Sequence, residues 1–553
     1  MNYDWKIKYM YKHNLMELLQ YYMKMNKDEF KQFLDIKSSK FKNPNLLPNI
    51  DKAIERTKQA IQNKEKILIS GDYDCDGVTS TTIMMIALST LTPYVGYRIP
   101  LRSEGYGLSK KIVDEAVENG IKLIITVDNG IAANEAINYA KEKGIDVIVT
   151  DHHPVSDRGI PTDISVDPHV NQDYEFKSIC GCMVAYKFLR MLIPDLHKQS
   201  IHNEIVVLTM FGTIADSMLL KDENRKFVSK ALEILNKKQH ISYGIDALIN
   251  NSGLNRGTIT STNLAFSITP AINAIGRLQD ASLGVELFLS DDEVKADTLA
   301  KKIFDLNNKR KALQQDAVDN IHIDDTQPFI VEVLNNVPNG LLGGIAGKVA
   351  DEYQRPCFLL HENKQTVSGS GRSFAGYDIK QNITNNKDIV NQNSGGHSFA
   401  CGISLPKENL TEFKKRCCAN YNQWLKENKT EDTTPVKEFL CELHFDDIND
   451  NIMKMISQLE PFGTGNKAPM FCAKHVKVLD SKVLGAKKNA VKLNMYQNDN
   501  CFDGIAFFGI KDKYVDELQS PDYIDIGFVL NYNYWNGNRK IQLQIEDVRL
   551  SDE

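Results

Sequence analysis

The amino-acid sequence predicts an α/β chain: a catalytic domain on a parallel sheet, a linking helix, a smaller α/β domain and a C-terminal β-barrel. Two patterns carry this. Between residues 67 and 153, three apolar runs each end in acidic residues and are separated by helix-forming stretches, as parallel strands with helical crossovers require. Beyond residue 436, short alternating runs lie between turn formers, the pattern of a small barrel.

The first unit is Ile67-Leu68-Ile69-Ser70-Gly71 running into Asp72-Tyr73-Asp74-Cys75-Asp76-Gly77, with an apolar helix continuing from Thr79 to Leu91. The second is Leu123-Ile124-Ile125-Thr126-Val127 running into Asp128-Asn129-Gly130. After a helical stretch from Ala132 to Lys143, Val147-Ile148-Val149-Thr150 runs into Asp151-His152-His153. Parallel strands joined by right-handed crossovers have their C-terminal ends on one side of the sheet, where open α/β sheets hold their ligands. The carboxylates and imidazoles therefore converge, and such a cluster repels itself unless a cation sits in it. Oxygen donors with one or two imidazoles suit Mn²⁺ or Mg²⁺ better than a structural zinc, and two such ions suit hydrolysis of a phosphate ester.

With these motifs the chain resembles the DHH phosphoesterase superfamily, and within it the bacterial RecJ exonuclease branch. Further motifs carry the same resemblance: Arg102-Ser103-Glu104-Gly105-Tyr106-Gly107, Ile214-Ala215-Asp216, Ile272-Asn273-Ala274-Ile275-Gly276-Arg277, Gly369-Ser370-Gly371-Arg372-Ser373, Ser394-Gly395-Gly396-His397 and Glu460-Pro461-Phe462-Gly463-Thr464-Gly465-Asn466. The resemblance implies a DHH catalytic domain, a linking helix, a DHH-associated domain and an OB-fold. It implies an exonuclease that degrades single-stranded DNA from the 5′ end to mononucleotides in DNA repair and recombination. Two Mn²⁺ or Mg²⁺ ions are the expected cofactors, and single-stranded DNA the expected partner. A single-strand-binding protein or a helicase is a further candidate partner.

The same resemblance distributes roles. Asp74, Asp76, Asp128, His152 and Asp216 are the expected metal ligands, with Asp128 bridging. Asp72, Asp151 and His153 form the catalytic set, Asp72 being also a second-line ligand. His153 is expected to face the scissile phosphate, and Asp151 to orient one of the two histidines. Arg102, Arg277, Ser370 and Arg372 match positions that hold a 5′-terminal phosphate. Gly395, Gly396 and His397 belong to a second glycine-rich segment expected to be a phosphate-contacting loop, as is the segment around Arg372.

Composition sets wider bounds. The 553 residues, 42% hydrophobic and 25% charged, suffice for three or four domains. No apolar run reaches membrane-spanning length, and Met1 to His13 lacks a signal peptide's hydrophobic core, so a cytoplasmic location with no membrane partner is expected. The ten cysteines lack the paired spacing of a zinc site and read as reduced thiols. A net charge of −6 does not exclude a nucleic-acid enzyme, because a substrate groove needs only local positive charge. The basic runs Lys301-Lys302, Lys309-Arg310-Lys311 and Lys414-Lys415-Arg416 read as solvated helix faces.

In chain order, residues 1–48 are expected to be a helical extension packing on the next domain. Residues 49–220 form the catalytic domain, within which Asp167-Pro168-His169 reads as a turn and not a ligand pair. Asp167 stands where the resembled family would have Asn. Residues 221–322 are a helical connector. Its Ser290-Asp291-Asp292-Glu293 has the form of a capping box opening a helix of about thirty residues, about 45 Å long. Residues 323–428 make the second α/β domain, a polar linker spans 426–435, and 436–553 form the barrel. There Phe507, Tyr532, Tyr534 and Trp535 are candidates to stack on bases, although most such aromatics are core residues.

Two other functions fit parts of the sequence. A phosphodiesterase for short oligonucleotides or cyclic dinucleotides would share the metal site, but such enzymes generally lack a barrel. A DNA-binding scaffold without activity would be expected to have lost several of the acids.

Overall fold

Strand β1 (Asp4–Tyr9) opens the chain, followed by helices Leu15–Tyr22 and Lys27–Leu34. The computed structural model describes residues 3–551, apart from 12–13, 38–39, 240, 325, 393, 429–435, 486–487 and 536–537. Most of the expected linker and the side chain of Trp535 lie outside the described residues.

The apolar runs form a parallel sheet of β2 (Lys66–Ser70), β3 (Val95–Arg98), β4 (Ile121–Val127), β5 (Asp146–Thr150) and β6 (Ser165–Val166), in the order β3-β2-β4-β5-β6. Its central strands are buried on both faces, which is why they read as continuous Ile/Leu/Val runs. Helix Cys75–Ser89 is buried on nearly every side and packs against helices Gly181–Leu192 and His202–Ala215. One hydrophobic cluster runs from Leu47 to Ile303, so the helices of 222–303 share the sheet's core.

The long helix, Glu293–Asp319, has 27 residues and is about 40 Å long. Its cap is Asp292, whose side chain accepts from the Lys295 N–H at 2.6 Å, while the Ser290 hydroxyl bonds only to the Asp292 backbone, donating to its carbonyl and accepting from its N–H. The helix starts against the first core and ends, at Ala317 and Val318, in the core of the next domain.

That domain is a five-stranded sheet of β7 (Ile330–Val333), β8 (Cys357–Glu362), β9 (Thr366–Arg372), β10 (Gly395–Gly396) and β11 (Ala400–Pro406), ordered β10-β11-β9-β8-β7 with only β7 and β8 parallel. Alternate residues face opposite ways: Cys357 and Leu359 meet helix Leu342–Tyr353, and Phe358 and Leu360 meet Phe413 of helix Leu410–Glu427. One expectation fails here. The glycine-rich segment carrying Ser370 and Arg372 is strand β9, and Gly395 and Gly396 are strand β10, not loops. The glycines serve close packing: a Cβ on Gly369 would lie 1.9 Å from the Leu359 carbonyl oxygen, and one on Gly371 would lie 2.5 Å from the Phe358 ring.

Strand β12 (Val436–Cys441) leads into a closed barrel of β13 (Phe471–Leu484), β14 (Ala490–Gln497), β15 (Asn500–Phe507), β16 (Tyr523–Trp535) and β17 (Asn538–Leu550), in the order β13-β14-β15-β17-β16. The N-terminal extension corrects a second expectation. β1 pairs in parallel with β12, Asp4 opposite Val436, and Leu15, Leu19 and Phe30 are buried in the barrel domain's core. Trp5 donates its indole N–H to Asp547 at 2.8 Å. The extension is thus partly a strand and belongs mainly to the barrel domain, touching the helices that share the catalytic core where Phe41 meets Phe227 edge-on. Pairing between residues so distant in sequence leaves no local signal. No helix among the described residues is long and apolar enough to cross a membrane.

Candidate metal centre and phosphate pocket

The strand ends do converge. Asp74 caps helix Cys75–Ser89, accepting from the Gly77 N–H at 3.0 Å, and Asp76 lies buried in its first turn. The Asp76 oxygens accept the N–H groups of Gly181 (2.6 Å) and Cys182 (3.0 Å), where the helix dipole favours a negative charge. Gly181 has to be glycine, because a Cβ there would come within 2.7 Å of the Asp128 Cα.

Asp128 follows β4 in the left-handed region, at φ 61°. His152 follows β5, and its Nε2 lies 3.2 Å from Asp128 Oδ1, 3.5 Å from Asp216 Oδ2 and 3.9 Å from Asp76 Oδ2. Asp216 arrives from a different direction, as the residue that ends helix His202–Ala215. Three groupings have ligand atoms within 4.8 Å of one another: Asp76 with His152 and Asp216; Asp72 with Asp74 and Asp128; and Asp128 with Asp151, His152 and His153. Asp128 belongs to two of them.

The residues fit a pair of divalent ions. His152 Nε2, Asp128 Oδ1 and both oxygens of Asp72 are buried and have no hydrogen-bond partner. A polar atom buried without a partner costs roughly 1–3 kcal/mol, and several gathered together are donors that a divalent cation would satisfy. Charge says the same. Burial and the neighbouring carboxylates push Asp128 and Asp72 well above the ordinary carboxylate range, and Asp216 up to about 8.

The two histidines differ in kind. Burial holds His152 below its ordinary value, leaving a neutral ring with a lone pair to offer. Burial also works against a charged His153, but Asp151 accepts from its Nδ1 at 2.8 Å and raises it to about 9. Asp151 is itself held in place by the Ile131 and His152 N–H groups, at 2.9 and 2.7 Å. Of the two histidines, then, the one whose ring bonds to Asp151 is His153.

A second cluster is basic. Arg277 donates to the Gly340 carbonyl at 3.0 Å, and Arg102 donates to the Gly276 carbonyl at 3.3 Å while stacking on Tyr73 at 4.2 Å. Burial and the charges of Arg102, Arg310 and Arg372 lower Arg277 to about 10. A Cβ on Gly343 would lie 3.1 Å from Arg372 Nη2 and 3.3 Å from Ser370 Oγ, which puts both side chains at the start of helix Leu342–Tyr353. No side chain caps that helix. Among the described residues no carboxylate lies within ion-pair distance of Arg102, Arg277, Arg310 or Arg372. Gathered arginines without a counter-ion are a site for an anion.

Arg310 and Tyr106 were not singled out by sequence. Arg310 looked like one charge in a solvated run, and its neighbours Lys309 and Lys311 do carry no cluster contact. Its guanidinium is held by Asn307 (3.0 Å) and Gln314 (2.9 Å) on the same helix face. By contrast Arg416, in a similar run, is paired with Asp388 and Glu412. Tyr106 donates its hydroxyl to the Asp128 carbonyl at 2.8 Å and packs edge-to-face with His153. Its only signal was its place in the motif that begins at Arg102.

Other candidates lie apart. Asp167 is buried at the end of β6, accepts from the His169 N–H at 2.7 Å, and joins none of the three groupings. Gly395 stands across β11 from Ser370, in register through Gly402, and His397 turns outward beside it. His397 joins none of the three donor groupings. In the barrel, Tyr532 donates to Asp450 at 2.8 Å with Arg539 over its ring, while Tyr534 and Phe507 are exposed.

Comparison with known proteins follows the domain pattern. Residues 66–213 match the model of the DHH family N-terminal domain, 326–423 the DHHA1 domain and 441–547 the RecJ OB domain. The chain is 33% identical over 533 residues to the single-stranded-DNA-specific exonuclease RecJ of Bacillus subtilis, covering 94% of this chain and 66% of that protein. It is 31% identical over 537 residues to the RecJ of Haemophilus influenzae, covering 92% of each. The crystal structure of RecJ from Thermus thermophilus in complex with Mn²⁺ superposes with a TM-score of 0.79 at 24% identity, covering all of this chain and 80% of that one.

Proposed function

Since the chain belongs to the RecJ family of single-stranded-DNA-specific exonucleases, we propose that it is a divalent-metal-dependent exonuclease that releases mononucleotides from the 5′ end of single-stranded DNA. The observation that carries this reading is the pairing of two sites in one molecule. A cluster of buried, unpartnered metal donors stands near a group of arginines with no acidic partner, and Arg277 senses the charge of Asp74. One site suits phosphodiester cleavage and the other suits the terminal phosphate of the strand.

Asp74, Asp76, Asp128, His152 and Asp216 would hold the ions, with Asp72 completing the side of Asp74 and Asp128. Two Mn²⁺ or Mg²⁺ ions, when bound, would supply an activated water and neutralise charge on the phosphoryl oxygens. His153, kept cationic by Asp151, would stabilise the negative charge that develops in the transition state. Tyr106 would hold the backbone of Asp128 and pack against the His153 ring. Arg102, Arg277, Arg310, Ser370 and Arg372 would seat a 5′-phosphate, which admits a chain end and sets the direction of travel. Gly395, Gly396 and His397 would line the strand's path over the second domain, and the barrel would extend its grip. Such a reaction belongs to DNA repair and recombination in the cytoplasm, with a helicase or a single-strand-binding protein presenting the strand.

The test is degradation of single strands labelled at either end, with and without Mn²⁺, by the wild type and by Asp128→Ala, beside a cyclic dinucleotide control. Mn²⁺-dependent release of 5′-terminal mononucleotides, lost in the variant, is expected. Release from the 3′ end, or faster turnover of the cyclic dinucleotide, would sink the proposal.

A further inference from the structure

Of the acids around His152, Asp128 and Asp216 both lack a side-chain hydrogen bond among the described residues, and Asp216 is the far more exposed of the two. Asp76 accepts two backbone N–H groups. Asp216 accepts none among the described residues, and its side chain is 33% exposed. Its position therefore depends on the backbone that carries it. That backbone leaves helix His202–Ala215 through Ser217 in the left-handed region and enters the segment Leu219 to Lys221.

This segment is clamped from two sides. The catalytic domain holds Leu219, whose N–H donates to Ser178 Oγ at 3.0 Å and whose carbonyl accepts from Asn224 at 3.1 Å. The barrel domain holds the next residue: the Leu220 N–H donates to the Thr464 carbonyl at 2.8 Å. The glycines on either side of Thr464 permit this approach. A Cβ on Gly463 would lie 2.7 Å from the Leu220 side chain, and one on Gly465, at φ 75°, would lie 2.9 Å from that of Leu219.

The loop that makes this contact is itself rigid. Asn466, buried, donates to the carbonyls of Leu459 and Pro461, both at 2.8 Å. Ser261 donates to the Phe462 carbonyl at 2.6 Å, and buried Arg225 donates to the carbonyls of Gln458 and Glu460, both at 3.0 Å. Two side chains of the catalytic half thus bind backbone oxygens of a loop that in turn binds the segment following Asp216.

We propose that the loop from Glu460 to Asn466 is a positioning element of the metal centre: by fixing Leu219 to Lys221 it holds Asp216 against His152, and so couples ion binding to the seating of the barrel domain. The inference rests on Asp216 being a metal ligand. It gives the Glu-Pro-Phe-Gly-Thr-Gly-Asn motif a task at the active site, although the motif lies in another domain and contributes no donor atom there.

The test uses the full chain and counts Mn²⁺ ions by calorimetric titration and electron paramagnetic resonance for the wild type, Gly465→Val, Ser261→Ala and Asp216→Asn. Circular dichroism checks folding. Gly465→Val is expected to bind one ion about tenfold or more weakly, the scale for loss of a group supporting a ligand, and to leave the other ion unchanged. Asp216→Asn should weaken the same ion. Ser261→Ala, which removes a single hydrogen bond, should do so to a smaller degree and keeps the test valid if the valine variant does not fold. Hydrogen exchange at the Leu220 amide should quicken in step. Wild-type binding of both ions by the two loop variants, with Asp216→Asn impaired, would overturn the coupling alone. Wild-type binding by Asp216→Asn would overturn the ligand assignment and the coupling with it.

Discussion

His153 donates its Nδ1–H to Asp151 at 2.8 Å, while the adjacent His152 keeps its Nε2 within 3.2 Å of Asp128 and without a hydrogen bond. Burial lowers the one imidazole and Asp151 raises the other, so two neighbouring rings take different charge states. The neutral ring can donate a lone pair, and the protonated ring can donate a hydrogen.

His153→Ala should slow the chemical step by about 10²-fold or more, the scale for removing one electrostatic stabiliser. Its Mn²⁺ content should match the wild type. Single-turnover rates beside metal analysis decide this, and loss of an ion in the variant would show that His153 is a ligand.

Asp74→Ala, Asp128→Ala and His152→Ala should each abolish hydrolysis with the fold intact. Asp128→Asn offers a finer check. In the metal-free protein the acids repel one another, so removing one charge should leave the melting temperature unchanged or higher. Wild type should gain stability as Mn²⁺ is added, because a ligand of the folded state stabilises it, and the variant should gain much less. Equal Mn²⁺-induced shifts in melting temperature would count against the site.

Arg277→Ala and Arg372→Ala should each weaken binding of 5′-phosphorylated strands by about 1.5–3 kcal/mol, the range for a hydrogen bond to a charged group. Strands with a 5′-hydroxyl should lose much less. Arg310→Ala should follow the same pattern, since Asn307 and Gln314 hold its guanidinium at the pocket. Binding of matched strands with the two end groups is the measurement. An equal penalty on both would mean that these arginines touch internal phosphates or only support the fold.

His202 predicts a pH effect far from the metals. It is buried, with Tyr186 Oη 3.4 Å from its Nε2, and burial with nearby Lys230 and Arg190 lowers it to about 4. Its unfolded value is about 6.5, so between pH 4 and 6.5 the unfolded chain binds more protons. Its contribution to stability is complete above 6.5 and is lost as pH falls toward 4. Glu204, raised to about 7 by burial, acts in the opposite sense between about 4.5 and 7, so the comparison needs a variant. His202→Leu should lose stability less steeply than wild type as pH falls from 7 to 5, read from urea midpoints. Parallel pH profiles would refute this.

The parallel sheet and the convergence of Asp72, Asp74, Asp76, Asp128, His152 and His153 were legible because strand and acid are adjacent in sequence, and topology then leaves one edge for them to share. Asp216 was legible only through the resemblance. Nothing local distinguishes the last residue of an apolar helix from an ordinary helix end. The segment around Arg372 misled for a related reason: glycines that permit a turn also permit two strands to approach, and only the positions of the Leu359 carbonyl and the Phe358 ring tell which.

The sequence by itself determined the chemistry, since residue types at strand ends dictate which atoms can meet a cation and which can meet a phosphate. Tertiary structure alone decided the partnerships made across long separations. It placed β1 beside β12, Arg310 among the other arginines, Asp151 on His153 and the Thr464 carbonyl on the Leu220 amide. Each of these is a contact between groups whose local sequence is compatible with many partners. The choice among them is made by packing of the whole chain, through shape and burial that no window of residues contains.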